Sequence, residues 1–347
     1  MSRVFQREIT TPGPLLKPDG TLNDCGWARQ PILDCNLENA HFYQLRFMQW
    51  LRIKRWDYYA IFTPDHFFSF TIGDIGYLGS IFAYTIDFTS WKYHEETLTI
   101  PLGRGIILSR NSTSGESRFE SRRVSLQFLA KPTCRRLKVR WDGFNGQDLN
   151  AEVTLTLAPQ HESTVNVIPI GEKRFYYTRK VNCLPASGWI LCNGKRHELD
   201  AARSLGCLDW GRGIWNYDSF WIWGSLNSFL PDGRTIGLNL GTGIGDMSAA
   251  TDCSLILDGR VQKLGKVNYD YDSHNFMRSW RIGDEDGRLE LTFTPKLERV
   301  AKTDFKLLFS EVHQMFGYYY GQAISDTGET IQLEDQLGFI EEHKAKW

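Results

Sequence analysis

Val153-Thr-Leu-Thr-Leu157, Val165-Asn-Val-Ile-Pro-Ile170 and Leu289-Glu-Leu-Thr-Phe-Thr294 decide the fold. Each run alternates, or nearly alternates, apolar and polar residues and is rich in β-branched side chains. That period of two belongs to a half-buried strand. Outward from these runs the chain is punctuated by Pro18-Asp19-Gly20, Asp142-Gly143, Asn193-Gly194, Asp232-Gly233, Asp258-Gly259, Asp286-Gly287 and Thr327-Gly328. Asx-Gly pairs supply the positive φ values that two-residue hairpins require. Many short strands joined by such turns predict an all-β protein of antiparallel sheet, sandwich or barrel. Helical signal is confined to Glu334–Lys346, which reads as one short helix, and to the ambiguous stretch Asp34–Arg46.

The chain has 347 residues, enough for roughly two domains or one large β domain. The polar stretch Ala158–Glu162 is the nearest thing to a boundary. A cut there predicts an N-terminal β-barrel-like half, residues 1–164, and a C-terminal half, residues 165–347, that carries the Asp209–Trp223 segment. Lys and Arg number 40 against 41 Asp and Glu, and a surface so balanced steers neither nucleic acid nor anionic membrane toward it. No stretch of about eighteen uncharged apolar residues occurs, so no membrane-spanning helix is expected. Seven cysteines without a CxxC pair, and a start with no apolar leader core, predict reduced thiols and a cytoplasmic location. Aromatic residues are abundant, with 12 Trp, 14 Tyr and 21 Phe, as suits pleated surfaces and ligand cavities.

The chemistry-bearing segment is Cys207-Leu-Asp-Trp-Gly-Arg-Gly-Ile-Trp-Asn-Tyr-Asp-Ser-Phe-Trp-Ile-Trp-Gly-Ser-Leu-Asn227. Two glycines around Arg212 mark a tight turn or a close approach. The extended run after them puts Trp215, Tyr217, Ser219, Trp221 and Trp223 on one face. Such a face suits a large apolar ligand, and equally a packed barrel core. Asp209, beside Trp210 and Leu208, is placed for desolvation. Desolvation raises a carboxyl pKa and makes a general acid. Arg212, three residues on, offers the competing reading of an ion pair that fixes the loop.

Gly237-Leu-Asn-Leu-Gly-Thr-Gly-Ile-Gly-Asp246 lacks the context of a dinucleotide loop and reads as a glycine-rich strand end or lid. Asp246 and Asp252 near it are candidates to face Asp209 across a cavity. Asn268–Asp272 opens like a calcium loop, but Ser273 and Ser279 stand where Gly and Glu are needed. The eight histidines show no ligand pair at i+2 or i+4 spacing, so no metal is expected, and His161-Glu162 is the one pairing worth testing. The pairs Arg122-Arg123 and Arg135-Arg136 read as solvated strand edges.

The chain resembles the family DUF2804 over nearly its whole length. The resemblance is carried by Thr10-Thr-Pro-Gly-Pro-Leu-Leu16, Gly26-Trp-Ala-Arg29, Lys54-Arg-Trp-Asp-Tyr58, His161-Glu-Ser-Thr-Val-Asn-Val-Ile-Pro-Ile170, Phe175-Tyr-Tyr-Thr178, Pro185-Ala-Ser-Gly188, Leu208–Tyr217, Phe316-Gly317, Gly321 and Trp347. The resemblance leads one to expect Thr-Glu-Asn where this chain has Thr251-Asp252-Cys253, so a role for that glutamate falls to Asp252. The layout Gly194…Asp209-x-x-x-Gly213…Trp221-x-Trp223…Gly233 is similar to a pattern of the AttH and carotenoid 1,2-hydratase group. That likeness implies two lipocalin-like β-barrels acting on large apolar, terpenoid-like substrates without a cofactor.

On this basis the expected function is a lyase or isomerase, hydratase- or cyclase-like. A buried aspartic acid protonates an alkene, and aromatic faces stabilise the resulting cation by about 0.5–2 kcal/mol each. Asp209, Tyr217 and Asp252 are the candidate catalytic residues, with Trp210, Arg212, Trp215, Trp221, Trp223 and Asn239 as the candidate substrate-binding set. Two alternatives use the same parts. One is a glycoside hydrolase pairing Asp209 with Asp218, Asp246 or Asp252 beside stacking indoles. The other is a lipocalin-type carrier that only binds an apolar small molecule.

Overall fold

A computed structural model describes residues 6–347 except 305 and 307. Among these residues there is no α-helix, only the 3₁₀ turns Leu37–Asn39 and Arg46–Leu51, and no helix is long and apolar enough to cross a membrane. Most of the remainder is strand, arranged chiefly as two curled, half-barrel antiparallel sheets, as the alternation predicts, beside a short parallel pair, Gly13–Pro14 with Leu33–Asp34. Hairpin signals hold at Asn193-Gly194, with φ of 50° and 70°, and at Asp258-Gly259, with 47° and 72°, whereas Asp142-Gly143 falls at a register shift inside the strand Cys134–Phe144 and the turn there is Asn145-Gly146. The first two pairs close the Cys192–Lys195 and Leu257–Arg260 turns.

The first sheet has thirteen strands. Its main path runs Lys92–Pro101, Leu78–Asp87, His66–Asp74, Lys54–Phe62, Leu205–Ile214, Arg174–Cys192, Gln147–Thr156, Cys134–Phe144, Val124–Lys131 and Gly115–Glu120. The long strand Arg174–Cys192 bends where its register shifts between Val181 and Leu184, with Cys183 at φ 58°. The bend lets one strand pair with Leu205–Ile214 on one side of the curl and with Gln147–Thr156 on the other.

The second sheet has nine strands, in the order Arg260–Lys263, Asp252–Leu257, Thr235–Thr242, Asp218–Phe229, Thr330–Lys346, Phe309–Ile324, Leu289–Asp304, Trp280–Asp284 and Val267–Asp270. Apart from the separate pair Gly13–Pro14 and Leu33–Asp34, strands as far as Ile214 belong to the first sheet, and the second begins at Asp218, so the chain crosses between sheets at residues 215–217 rather than near 165. The helix expected over Glu334–Lys346 is instead most of the strand Thr330–Lys346. Paired on both edges, with Asp218–Phe229 and Phe309–Ile324, it gains ladder hydrogen bonds that override the local helix propensity of its Glu and Lys residues.

Each sheet curls around its own core. Tyr59, Ile61, Phe70, Phe128, Leu155 and Trp210 fill the first, and Leu226, Leu240, Leu255, Trp280, Phe293 and Ile340 fill the second. Alternation turns the other face of each sheet toward its neighbour. There Tyr58, Phe62, Phe67, Tyr84, Trp223, Phe316 and Phe339 form a third, aromatic cluster that joins the two sheets. Away from that cluster, buried Glu162 accepts from Arg29 at 2.8 Å and from the Val261 N–H at 2.8 Å, and pairs with Arg260 at 2.9 Å. Its neighbour His161 bonds the Asn182 carbonyl at 2.9 Å, so the His161-Glu162 pairing is a structural clasp between the sheets. Arg122, Arg123 and Arg136 are solvated as expected, but Arg135 is buried. Its guanidinium turns inward to bond the Ser112 carbonyl at 2.7 Å and the Cys134 carbonyl at 3.0 Å.

Candidate active site between the two sheets

The outward faces of the two sheets line a cavity of about 330 Å³ that opens to solvent at one end of its wall, where exposed Lys346 lies. The first sheet contributes Trp56, Tyr58, Phe82, Tyr84, Tyr176, Lys180 and Asp209 to its wall, and the crossing contributes Trp215. From the second sheet come Trp221, Trp223, Asp252, Arg299, Glu341 and His343, with Trp347 at the end of the last strand.

The Asp209-Trp-Gly-Arg-Gly213 segment is a strand, not a turn, and its glycines serve close approach. Period two sends Asp209, Gly211 and Gly213 toward the cavity and Trp210 and Arg212 the other way. A Cβ on Gly211 would lie 2.3 Å from atoms of the Trp56 ring, so only glycine lets that indole lie flat on the strand. Trp210 and Arg212 face the first sheet's own core. The Arg212 guanidinium stacks 4.2 Å from the Trp210 ring and pairs with buried Asp57 at 2.8 Å. Thus Asp209 and Arg212 do not form the pair that their spacing allowed.

Asp209 pairs instead with Lys180, its cross-strand register partner, at 2.6 Å. Both side chains are buried, and the Lys180 ammonium also lies 4.0 Å from the centre of the Trp223 ring. Asp252, from the edge of the second sheet, is buried with only 1% exposed. Its Oδ1 accepts from Asn166 Nδ2 at 2.7 Å and from Asn239 Nδ2 at 3.0 Å, while Oδ2 has no hydrogen-bond partner among the described residues. Burial pushes this carboxyl above its ordinary range, against the pull of the Lys180 and Lys263 charges. Asn239 does not line the cavity but braces it: its Oδ1 accepts from Trp223 Nε1 at 2.8 Å.

At the far side Glu341 is likewise raised by burial, opposed by Arg299. It accepts from Trp221 Nε1 at 3.3 Å. His343 Nδ1 approaches it at 3.8 Å, but this is no ion pair, because burial holds the imidazolium pKa down to about 3 and the ring is neutral. His343 Nε2 shares a 2.8 Å hydrogen bond with Ser310. Arg299 is matched by Glu95 through two bonds of 2.8 and 2.9 Å and lies 4.1 Å from the Tyr84 ring centre.

The structure therefore gathers Asp209, Asp252, Trp215, Trp221 and Trp223 around one cavity, with Asn239 behind them. Tyr217 is 45% exposed and outside the lining, because the alternation counted through residues 215–217 is interrupted where the chain changes sheets. Asp218 is exposed at the start of its strand, and exposed Asp246 accepts from the Ser248 N–H at 2.9 Å in a turn. Lys180, Arg299, Glu341 and His343 do not stand out in the sequence, since their relevance arises only across strands. The alternation Phe339, Glu341, His343 would have exposed two of them had the last segment been read as a strand. Among the described residues no cluster of three His, Cys, Asp or Glu is arranged to hold a metal ion.

Comparison with solved structures finds a crystal structure provisionally assigned as AttH, from Nitrosomonas europaea, at 13% identity and a TM-score of 0.48, covering 85% of this chain and 92% of that one. Kievitone hydratase from Nectria haematococca gives 11% identity and a TM-score of 0.44, covering 85% and 88%. Neither likeness speaks to the chemistry of the cavity. Nothing among curated protein sequences matches. The model of one family, described as "Domain of unknown function (DUF2804)", matches residues 6–347, and the chain belongs to that family.

Proposed function

We propose that the cavity is an active site in which Asp252 protonates a carbon–carbon double bond of a compact, largely apolar substrate, so that the protein is a lyase or isomerase of hydratase or cyclase type. The observation that carries this reading is Asp252 Oδ2: a buried carboxyl oxygen without a partner among the described residues, in an aromatic cavity, on a group whose protonated form is favoured. The proton leaves Oδ2 for one alkene carbon, and positive charge develops on the other. The faces of Trp215, Trp221 and Trp223 stabilise that charge by about 0.5–2 kcal/mol each. The Asp252 carboxylate left behind meets two donors already in place, Asn166 and Asn239, and the field of Lys180. Water then adds to the cation and returns a proton to Asp252, or the cation loses a neighbouring proton and the double bond moves. In this reading the Asp209–Lys180 pair is the polar pole that orients the substrate.

A volume of about 330 Å³ is at the small end of the ~300–1,000 Å³ typical of ligand pockets. It suits a compact terpenoid-like molecule, or one end of a longer one. Of the partners a glycosidase would need for Asp209, Asp218 and Asp246 lie outside the cavity lining and only Asp252 is within it.

The test does not require the natural substrate. Small unsaturated terpenoid-like molecules that quench the cavity tryptophans are incubated with the protein in D₂O or ¹⁸O-labelled water and recovered for mass spectrometry. Deuterium on carbon, with or without ¹⁸O, is expected, and Asp252→Asn should slow it by about 10²–10⁴-fold. Ligands that bind and return unlabelled would instead make the protein a carrier.

A further inference from the structure

The cavity lining holds more carboxyl groups than its own cations match. It carries four carboxyl groups, buried Asp209 and Asp252 and half-buried Glu95 and Glu341, against two buried cations, Lys180 and Arg299. Arg55 on the same wall is taken by Asp74, and Lys346 is exposed. Lys180 is matched to Asp209 at 2.6 Å and Arg299 to Glu95 at 2.8 Å. Among the described residues, Asp252 and Glu341 pair with neither lysine nor arginine, and neutral His343 supplies no charge. The same lining holds linked indoles: ring centres are 5.1 Å apart for Trp56 and Trp215, 5.9 Å for Trp215 and Trp347, and 5.9 Å for Trp221 and Trp347. The protein's own cations already use ring faces here, Lys180 on Trp223 and Arg299 on Tyr84.

We propose that the cavity selects organic cations: a substituted ammonium group seats against Trp215, Trp221 and Trp347, with Asp252 and Glu341 as its counter-charges. This rests on the reading of the cavity as a ligand site and deepens it, since an ammonium compound imitates the cation formed by protonating the alkene. An aromatic cage supplies the non-directional attraction that a fully substituted ammonium, lacking N–H donors, can use. A desolvated carboxyl without a cationic partner favours its proton-bound form and a cation beside it favours the carboxylate, so cation binding is expected to favour proton release. The groups that face them set where this occurs. Around Asp252 these are Lys180, Lys263, Asn239, Asn166 and Asp209; around Glu341 they are Arg299, Trp221, Lys180, Asp209 and His343.

The experiment compares benzyltrimethylammonium with its neutral carbon isostere, neopentylbenzene, by titration calorimetry on the full chain. Buffers of different ionisation enthalpy report protons released. The cation is expected to bind at least about tenfold more tightly and to release a proton that the isostere does not. Asp252→Asn and Glu341→Gln should each weaken the cation several-fold while leaving the isostere's affinity unchanged, which also shows that the variants are folded. Equal affinities for the two probes, or cation binding without proton release, would overturn the proposal. Isotope incorporation into alkenes is read separately. Labelling without cation preference sinks this inference alone, and cation preference without labelling sinks the catalytic reading alone.

Discussion

Replacing Asp209 by Asn leaves the Lys180 ammonium buried, 5% exposed, with its counter-charge gone. Removing one partner of a buried ion pair costs about 3–5 kcal/mol, because the remaining charge has been taken out of water without compensation. The Trp223 ring, 4.0 Å from that ammonium, offsets about 0.5–2 kcal/mol, so a net loss of about 2–4 kcal/mol is expected. Lys180→Met is the harsher change. It leaves the Asp209 carboxylate with the Thr178 hydroxyl at 3.4 Å, too long a bond to compensate, and the full ~3–5 kcal/mol applies. For 347 residues at ~2.1 cal/mol/K each, unfolding entropy is about 0.7 kcal/mol/K, so Asp209→Asn should lower Tm by about 3–6 °C. The double variant carries neither charge and should recover at least about 2 kcal/mol over the sum of the single losses. Calorimetric or urea unfolding of the four proteins measures this. Strict additivity, with each single loss under about 1 kcal/mol, would refute the claim that this pair is a coupled, desolvated unit.

Other predictions are briefer. Gly211→Ala places a methyl 2.3 Å from the Trp56 ring, so it should cost about 1–3 kcal/mol and change the intrinsic fluorescence as that indole is displaced. Burial raises Asp252 above its ordinary 3.8 and Glu341 above 4.5, so the native state favours their proton-bound forms. Their stabilising contribution is complete below those ordinary values and is lost as pH rises through the folded-state values. Asp252→Asn should therefore gain stability relative to wild type as pH is raised across that window, read from urea midpoints. Burial pushes the Cys35, Cys207 and Cys253 thiols up to about 12, so in the native protein a thiol reagent should reach only the partly exposed Cys25 and Cys134.

The all-β fold was legible because its signals are local: period-two runs and Asx-Gly turns are read within a few residues of one another. The last strand was not, because Glu334–Lys346 is full of helix-forming residues and its strand state is imposed by neighbours whose pairing is tertiary. The crossing at residues 215–217 was hidden for a related reason. Alternation continues on paper through Trp215, Asn216 and Tyr217, although the backbone there leaves one sheet before entering the next. The site was half visible. Trp215, Trp221, Trp223, Asp209 and Asp252 were found by residue type and by resemblance. Lys180 is adjacent to Asp209 only through the cross-strand register, so spacing offered Arg212 in its place. Trp210 and Arg212 share a segment with Asp209 but project from the opposite face of the strand.

The central claim is that burial raises the Asp252 carboxyl above the range of an ordinary aspartate, so that it serves as the proton donor. Carboxyl ¹³C NMR of aspartate-labelled protein, with the resonance assigned by its disappearance in Asp252→Asn, measures this directly. A resonance that titrates clearly above 3.8 in the free protein, and shifts to the carboxylate position when an ammonium ligand fills the cavity, is the predicted result. A resonance already ionised at or below that value would contradict the account.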